Sequence, residues 1–157
     1  SSLALGGIKA MAWELVRALY SNLIGSAGGV SAHTYDTLPD DDDTTLTGGA
    51  GADTFGSYAQ IASTVGSSDV WLCGTYISNA SAQTDFKVET ATGAAASEVA
   101  RATMPYTAVQ ADTPGAFSLP YPIRIPNGTR LAARSKQGDT AARTIDVVAI
   151  VATGLQG

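Results

Sequence analysis

The sequence predicts a mainly β protein, a jelly-roll-like antiparallel β-sandwich of about eight strands with one short helix near the N-terminus. Three observations predict it. Apolar residues recur at helical spacing only over residues 8–23. From Val30 onward the apolar period is two, in short runs. Gly, Pro and Asn turns separate those runs at even spacing, the pattern of a sandwich or barrel.

The helix comes first. Ile8, Met11, Ala12, Leu15, Val16, Leu19, Tyr20 and Leu23 share one face, while Lys9, Trp13, Glu14 and Arg17 lie on the other. Gly6-Gly7 precede it and Gly25 suits its stop. Trp13 and Arg17 are interface candidates, since an aromatic on the polar side of a helix often marks a contact. Residues 1–25 are read as an arm with this amphipathic helix, and 26–157 as the sandwich.

The strands follow in order. Val30–Thr37 is the first, and residues 38–57 make a long acidic, Gly-rich loop. Then come Tyr58–Thr64, Asp69–Ser78, Thr84–Thr90, Glu98–Met104, Phe117–Ile125, Thr129–Arg134 and Thr144–Val151. In 117–125, Leu119, Tyr121, Ile123 and Ile125 are expected on one face. Pro120 and Pro122 require that strand to be an edge or to carry a bulge, with a neighbour able to cover it.

Composition bounds function. A chain of 157 residues fits one domain with its own core. Only 15% of residues are charged, below the roughly 25% of ordinary domains, which points to surface hidden against partners or copies. The net charge of −5 argues against duplex DNA as a partner. Acidic residues crowd the first half, while Arg124, Arg130, Arg134, Lys136 and Arg143 make the last third basic. That asymmetry would suit head-to-tail pairing or docking on a charged surface. Arg130, Arg134 and Lys136 alternate along one strand face and, with Arg124, are further interface candidates. Cys73 is the one cysteine, expected as a small buried residue. No apolar run approaches a membrane span, so a soluble protein is expected.

Chemistry has little to stand on. His33 is the sole histidine, with no His or Cys near it in sequence, and zinc needs more of both. No G-x-S-x-G elbow, P-loop or dinucleotide fingerprint occurs. Paired carboxylates for glycoside cleavage stay open, because only the fold sets their separation. A non-enzyme without cofactor is expected. Asp40, Asp41, Asp42, Asp43 and Asp53 are weak calcium candidates, since hard cations take clustered carboxylates. The run at 40–43 lacks the spacing and glycine of an EF-hand loop, so a solvated loop is expected. Gly48-Gly49-Ala50-Gly51-Ala52-Asp53-Thr54-Phe55-Gly56 resembles one unit of the calcium-binding nonapeptide repeat of β-roll toxins and proteases. Calcium there sits between stacked units, and this chain has a single copy, so a loop is expected.

A second resemblance covers roughly the last two thirds of the chain. It rests on Val70-Trp71-Leu72-Cys73-Gly74, on Phe86-Lys87-Val88-Glu89, and on Gly93-Ala94-Ala95-Ala96-Ser97-Glu98. Its best piece is Pro122-Ile123-Arg124-Ile125-Pro126-Asn127-Gly128-Thr129-Arg130-Leu131-Ala132-Ala133-Arg134. This is similar to a P-I-x-I-P-x-G-T-R-x-A-A-R segment in small jelly-roll virion proteins of tailed double-stranded DNA bacteriophages. Asn127 stands where Ala is usual, and Asn-Gly suits the turn. The resemblance implies a capsid decoration (cement) protein, or a neck, collar or tail component, with no catalytic residues. The partners it implies are copies of the chain itself, as a homotrimer, and the major capsid protein or another virion protein. Nucleic acid and membrane are not expected partners. Synthesis in the host cytoplasm and a place on the virion follow. A carbohydrate-binding sandwich is the alternative of another class, with Tyr58, Trp71, Tyr76, Tyr106 and Tyr121 as stacking candidates.

Overall fold

The computed structural model describes residues 34–110 and 114–154. The expected helix, with Trp13, Arg17 and His33, lies outside the described residues. Among the described residues, nine strands form two antiparallel sheets. In chain order they are β1 (Thr34–Leu38), β2 (Thr44–Thr47), β3 (Ala59–Ala62), β4 (Val70–Ser78) and β5 (Asp85–Thr92). β6 (Val99–Thr107), β7 (Gly115–Ile125), β8 (Leu131–Gln137) and β9 (Thr144–Thr153) complete the set.

Pairing is nested. β1 and β2 both pair with β9, β3 with β8, β4 with β7, and β5 with β6. Two further ladders, β4 with β9 and β5 with β8, gather these ribbons into sheets. The first sheet runs β1/β2–β9–β4–β7 and the second β3–β8–β5–β6. First-with-last nesting, folded over into two facing sheets, is the jelly roll.

Alternation builds the core. In β9, Ile145, Val147, Ala149 and Val151 are buried, and the residues between them face outward. They meet Phe86, Val88 and Leu131 of the second sheet. Tyr106 stacks at 6.1 Å from Phe86 and edge-on at 5.8 Å from Phe117, linking β5, β6 and β7.

Two expectations are corrected. Residues 38–57 are not one loop, because β2 lies within them, held by the buried Leu46 and its ladder to β9. The acidic run is the short loop between β1 and β2. The expected common face of β7 fails at Tyr121, which is 64% exposed while Ile125 is buried. Leu72 pairs with Ile123, but Gly74 pairs with Ser118, so residues 119–122 bulge opposite Cys73 alone. The bulge holds both prolines, which have no N–H for a ladder, and β7 is indeed an edge strand. Cys73, at the same irregularity, is half-buried, its thiol 3.4 Å from Trp71 O.

Phe86→Ala removes the ring that joins the sheets through Tyr106. We expect it to cost about 4 kcal/mol in urea unfolding, the range for a buried aromatic.

Candidate interaction surfaces

The outward face of β8 carries Arg134 and Lys136, but its charge is used within the chain. Arg134 Nε donates to Glu89 Oε1 at 2.8 Å, directly across the β5–β8 ladder. Glu89 is buried, so its charge needs this partner. The Arg134 guanidinium also lies between two rings, 4.4 Å from the centroid of Phe55 and 4.5 Å from that of Tyr58. The Tyr58 hydroxyl donates to the same Glu89 oxygen. Burial, then the bond to Glu89 and its charge, push the Tyr58 hydroxyl up to about 12.

The other predicted cations also meet carboxylates. Arg130 contacts Glu98 at 2.9 Å, Arg124 contacts Asp69 at 2.5 Å, and Arg143 contacts Asp139 at 2.5 Å. Lys136 approaches Asp53 at 4.0 Å. The Asn127 N–H, then Arg124, hold Asp69 below its ordinary value. The Ala141 N–H, then Arg143, do the same for Asp139. Burial works against ionisation of Glu98, but hydrogen bonds, from its own N–H first and then from Arg130, outweigh it and lower its value.

Residues 48–56 act as an edge along β8. Asp53 N donates to Gln137 O, and Gly56 N to Ser135 O. Gln137 Nε2 donates to Gly49 O and Gly51 O. A Cβ on Gly48 would fall 1.6 Å from Gln137 Oε1, and one on Gly56 would fall 1.8 Å from Thr47 O. Gly48 thus leaves room for the Gln137 side chain, and Gly56 serves a close approach of backbone. Among the described residues no three His, Cys, Asp or Glu side chains gather as a metal site. Asp40, Asp41, Asp42 and Asp43 rim a groove, while Asp53 lies beside Lys136. Burial, then the charges of Asp146 and Asp42, raise Asp43 above its ordinary value.

Two apolar surfaces remain. The outward face of the first sheet carries Tyr35, Trp71, Tyr76, Val148 and Ile150, in register across β1, β9 and β4. Tyr76, Val148 and Ile150 floor an open groove of about 570 Å³ whose rim is Asp40–Asp43. Trp71 Nε1 on that face is buried with no hydrogen-bond partner among the described residues. The second set is spread along the edge strands β6 and β7: Val99 at the start of β6, Val109 just past its end and Tyr121 on β7 are 52%, 68% and 64% exposed. Sequence reasoning named the coverable edge at β7 but missed the face of the first sheet, because it did not place strands beside one another. The five aromatic candidates do not share a platform. Tyr106 is core, Tyr58 lies over Arg134, Tyr121 is on the β7 bulge, and Trp71 and Tyr76 face out from β4.

No protein-family model matches the chain, and neither does any curated protein sequence. Among solved structures, the chain is similar to that of infectious bursal disease virus, Gx strain, at 12% identity and TM-score 0.40. The match covers 76% of this chain and 32% of that one, so the chain spans about a third of that length. The Gt strain gives 10% identity over the same shares, also at TM-score 0.40. The CBM36-1 domain of a multidomain xylanase from the hindgut metagenome of Trinervitermes trinervoides is similar at 9% identity and TM-score 0.40. That match covers 76% of this chain and 95% of the domain. At these values the likenesses carry no argument, and the fold stands on its own strand pairing.

Arg134→Met strands the buried Glu89 charge and is expected to cost about 3 kcal/mol, toward the low end for a broken buried pair. Glu89→Gln combined with Arg134→Met should recover most of that loss, measured as a double-mutant cycle in urea. Acid should also weaken the fold. Asp69, Asp139 and Glu98 have lowered folded values, so the unfolded chain binds protons first. Their contribution is present above the ordinary carboxylate range, near pH 4, and is lost as pH falls through the folded values. The urea midpoint should drop in that window, and drop less in Asp69→Asn/Asp139→Asn.

Proposed function

We propose that the chain is a non-enzymatic structural protein of a bacteriophage virion, a decoration protein that binds the assembled head and stabilises it. The observation that carries this reading is the exposure of Val99, Val109 and Tyr121 along β6 and β7 and just beyond, on a jelly roll in which Arg124, Arg130, Arg134 and Arg143 are engaged in internal ion pairs. Cations engaged in this way are not free to pair across an interface, so association on the β6–β7 side falls to apolar side chains. The resemblance of residues 122–134 supports the virion context. That segment runs from the end of β7 through the Asn127-Gly128 turn into β8, with Gly128 at φ 70°.

A decoration protein acts by mass action. It binds the assembled lattice in preference to loose subunits, and so shifts the balance toward the shell. Repeated copies add avidity without strong single contacts. A homotrimer suits the three-fold positions of a capsid lattice, and closed symmetry is the usual solution for identical copies. The partners in this reading are copies of the chain and the major capsid protein, met after synthesis in the host cytoplasm.

One arrangement favours a second reading. Trp71 and Tyr76 lie on the same sheet face, as a sugar-stacking site requires. A glycan-array signal lost in Trp71→Ala would favour a carbohydrate-binding module.

Light scattering tests the first reading. The purified chain should have three times the 15.9 kDa of one copy. Val99→Asp/Tyr121→Asp should dissociate it, with stability changed by no more than about 0.5 kcal/mol per exposed site. A monomer at every concentration would remove self-assembly from the reading.

A further inference from the structure

The Asn127-Gly128 turn between β7 and β8 carries a chemistry that the virion reading does not use. Asparagine before glycine deamidates on its own in water, because glycine has no side chain to obstruct the attacking backbone nitrogen. The chain has three asparagines, Asn22, Asn79 and Asn127, and only Asn127 precedes a glycine. Both residues of the pair are exposed. They sit at the centre of a turn closed by Thr129 N–H to Pro126 O at 3.3 Å, with Gly128 at φ 70°.

The reaction needs a free nitrogen and a free side chain. A base in solvent takes the Gly128 N–H proton, and that nitrogen bonds to Asn127 Cγ. The Cγ–Nδ2 bond then breaks, and ammonia leaves. Water opens the resulting succinimide at one carbonyl or the other, giving aspartate or isoaspartate. Each requirement meets an obstacle in the segment between β3 and β4. Gly128 N–H donates to Gly66 O at 2.9 Å, so its proton is engaged. Asn127 Nδ2 donates to Ser67 O at 3.3 Å, which tethers the side chain. Asn127 N–H donates to Asp69 Oδ1 at 2.8 Å. Asp69 Oδ2 in turn accepts from Arg124 Nε at 2.9 Å. The buried Val65 and Val70 pin the two ends of this segment, and Val65 N–H donates to Thr129 O at 2.8 Å.

We propose that Asn127 is a deamidation site gated by residues 66–69, with Asp69 as the latch. While the latch is closed, the Gly128 nitrogen is held in its bond to Gly66 O and the amide survives. Opening of residues 66–69 frees the nitrogen to reach Cγ. The change is one-way. The product carboxylate has no N–H for Ser67 O, and it adds a negative charge to a turn that already holds Asp69. Isoaspartate also adds a methylene to the main chain, so the latch does not re-form. The proposal stands apart from the virion reading, because neither assembly nor particle binding enters its test.

The full-length protein is held in mildly alkaline buffer, and the product is followed by peptide mass mapping with isoaspartate detection. Folded wild type should deamidate at Asn127 at least about tenfold more slowly than the same chain unfolded in urea, since modification tracks the open population. Asp69→Ala, folded by circular dichroism, should raise the folded rate about tenfold, the effect of losing a charge-assisted hydrogen bond. Ile145→Val weakens the buried core and leaves the turn intact, so it should not change the rate. If Asp69→Ala does not fold, Arg124→Gln loosens the same latch and should raise the rate severalfold. Equal rates in folded and unfolded wild type would overturn the proposal. So would an unchanged rate in the folded latch variant, or an increase in Ile145→Val that matches it, because the whole fold and not the latch would then guard Asn127.

Discussion

The ladders of β9 to β1 and β2 on one side and β4 on the other hold the first sheet together. They join the start of the described chain to its end. Thr34 and Thr153, 119 positions apart, share a hydroxyl hydrogen bond of 2.7 Å. A slip of one residue would turn Ile145, Val147, Ala149 and Val151 out of the core and Asp146 into it. Asp146 itself resists the slip. It accepts from Thr45 Oγ1 at 2.6 Å and from Asn79 Nδ2 at 2.8 Å, one on each side of β9. Register is thus fixed by hydrophobic burial on one face and a carboxylate clamp on the other. Contacts this distant in sequence impose a loop-closure cost before they reward the chain, which slows folding.

The sheet margins are closed by different means. The β1–β2 margin is interrupted by the acidic loop, and β7 by a bulge that holds Pro120 and Pro122. β6 carries Pro105. Beyond β3, the Gly-rich segment runs along β8 and takes up its carbonyls. Interrupted ladders, charge and proline all discourage edge-to-edge strand addition. Any contact made at these margins therefore falls to side chains, and Val99, Val109 and Tyr121 are exposed on or just beyond the edge strands β6 and β7.

Much of the strand order was legible because β4 to β9 each present a run with period two, bounded by Gly, Pro or Asn. The edge and bulge at β7 were legible for a stereochemical reason, the missing N–H of proline. β2 was not legible, since Thr44–Thr47 offers a single apolar residue, Leu46, in a polar stretch. The ion pairs escaped for another reason. Arg134 and Glu89 are 45 positions apart, and Arg130 and Glu98 are 32 apart, so only the strand pairing brings them together. What read as a basic stripe is one side of these pairs. The face of Tyr121 was misread because a bulge breaks alternation, and proline announces a bulge without giving its length.

The ion pairs also decide where the remaining charge lies. With Arg124, Arg130, Arg134, Lys136 and Arg143 each beside a carboxylate, the net charge of −5 is carried by acidic residues away from those pairs. Asp36 and Asp40–Asp43 concentrate it at the β1–β2 margin, where Asp146 raises Asp43 further. That margin repels the same margin of another copy, at a range set by a screening length of about 8 Å in physiological salt. The β6–β7 side lies at the opposite margin of the sandwich, where β7 ends the first sheet and β6 ends the second. In the proposed homotrimer, repulsion at one margin and exposed apolar side chains at the other would orient like copies without any long-range attraction. Such an assembly would tighten with salt, the reverse of one held by surface ion pairs.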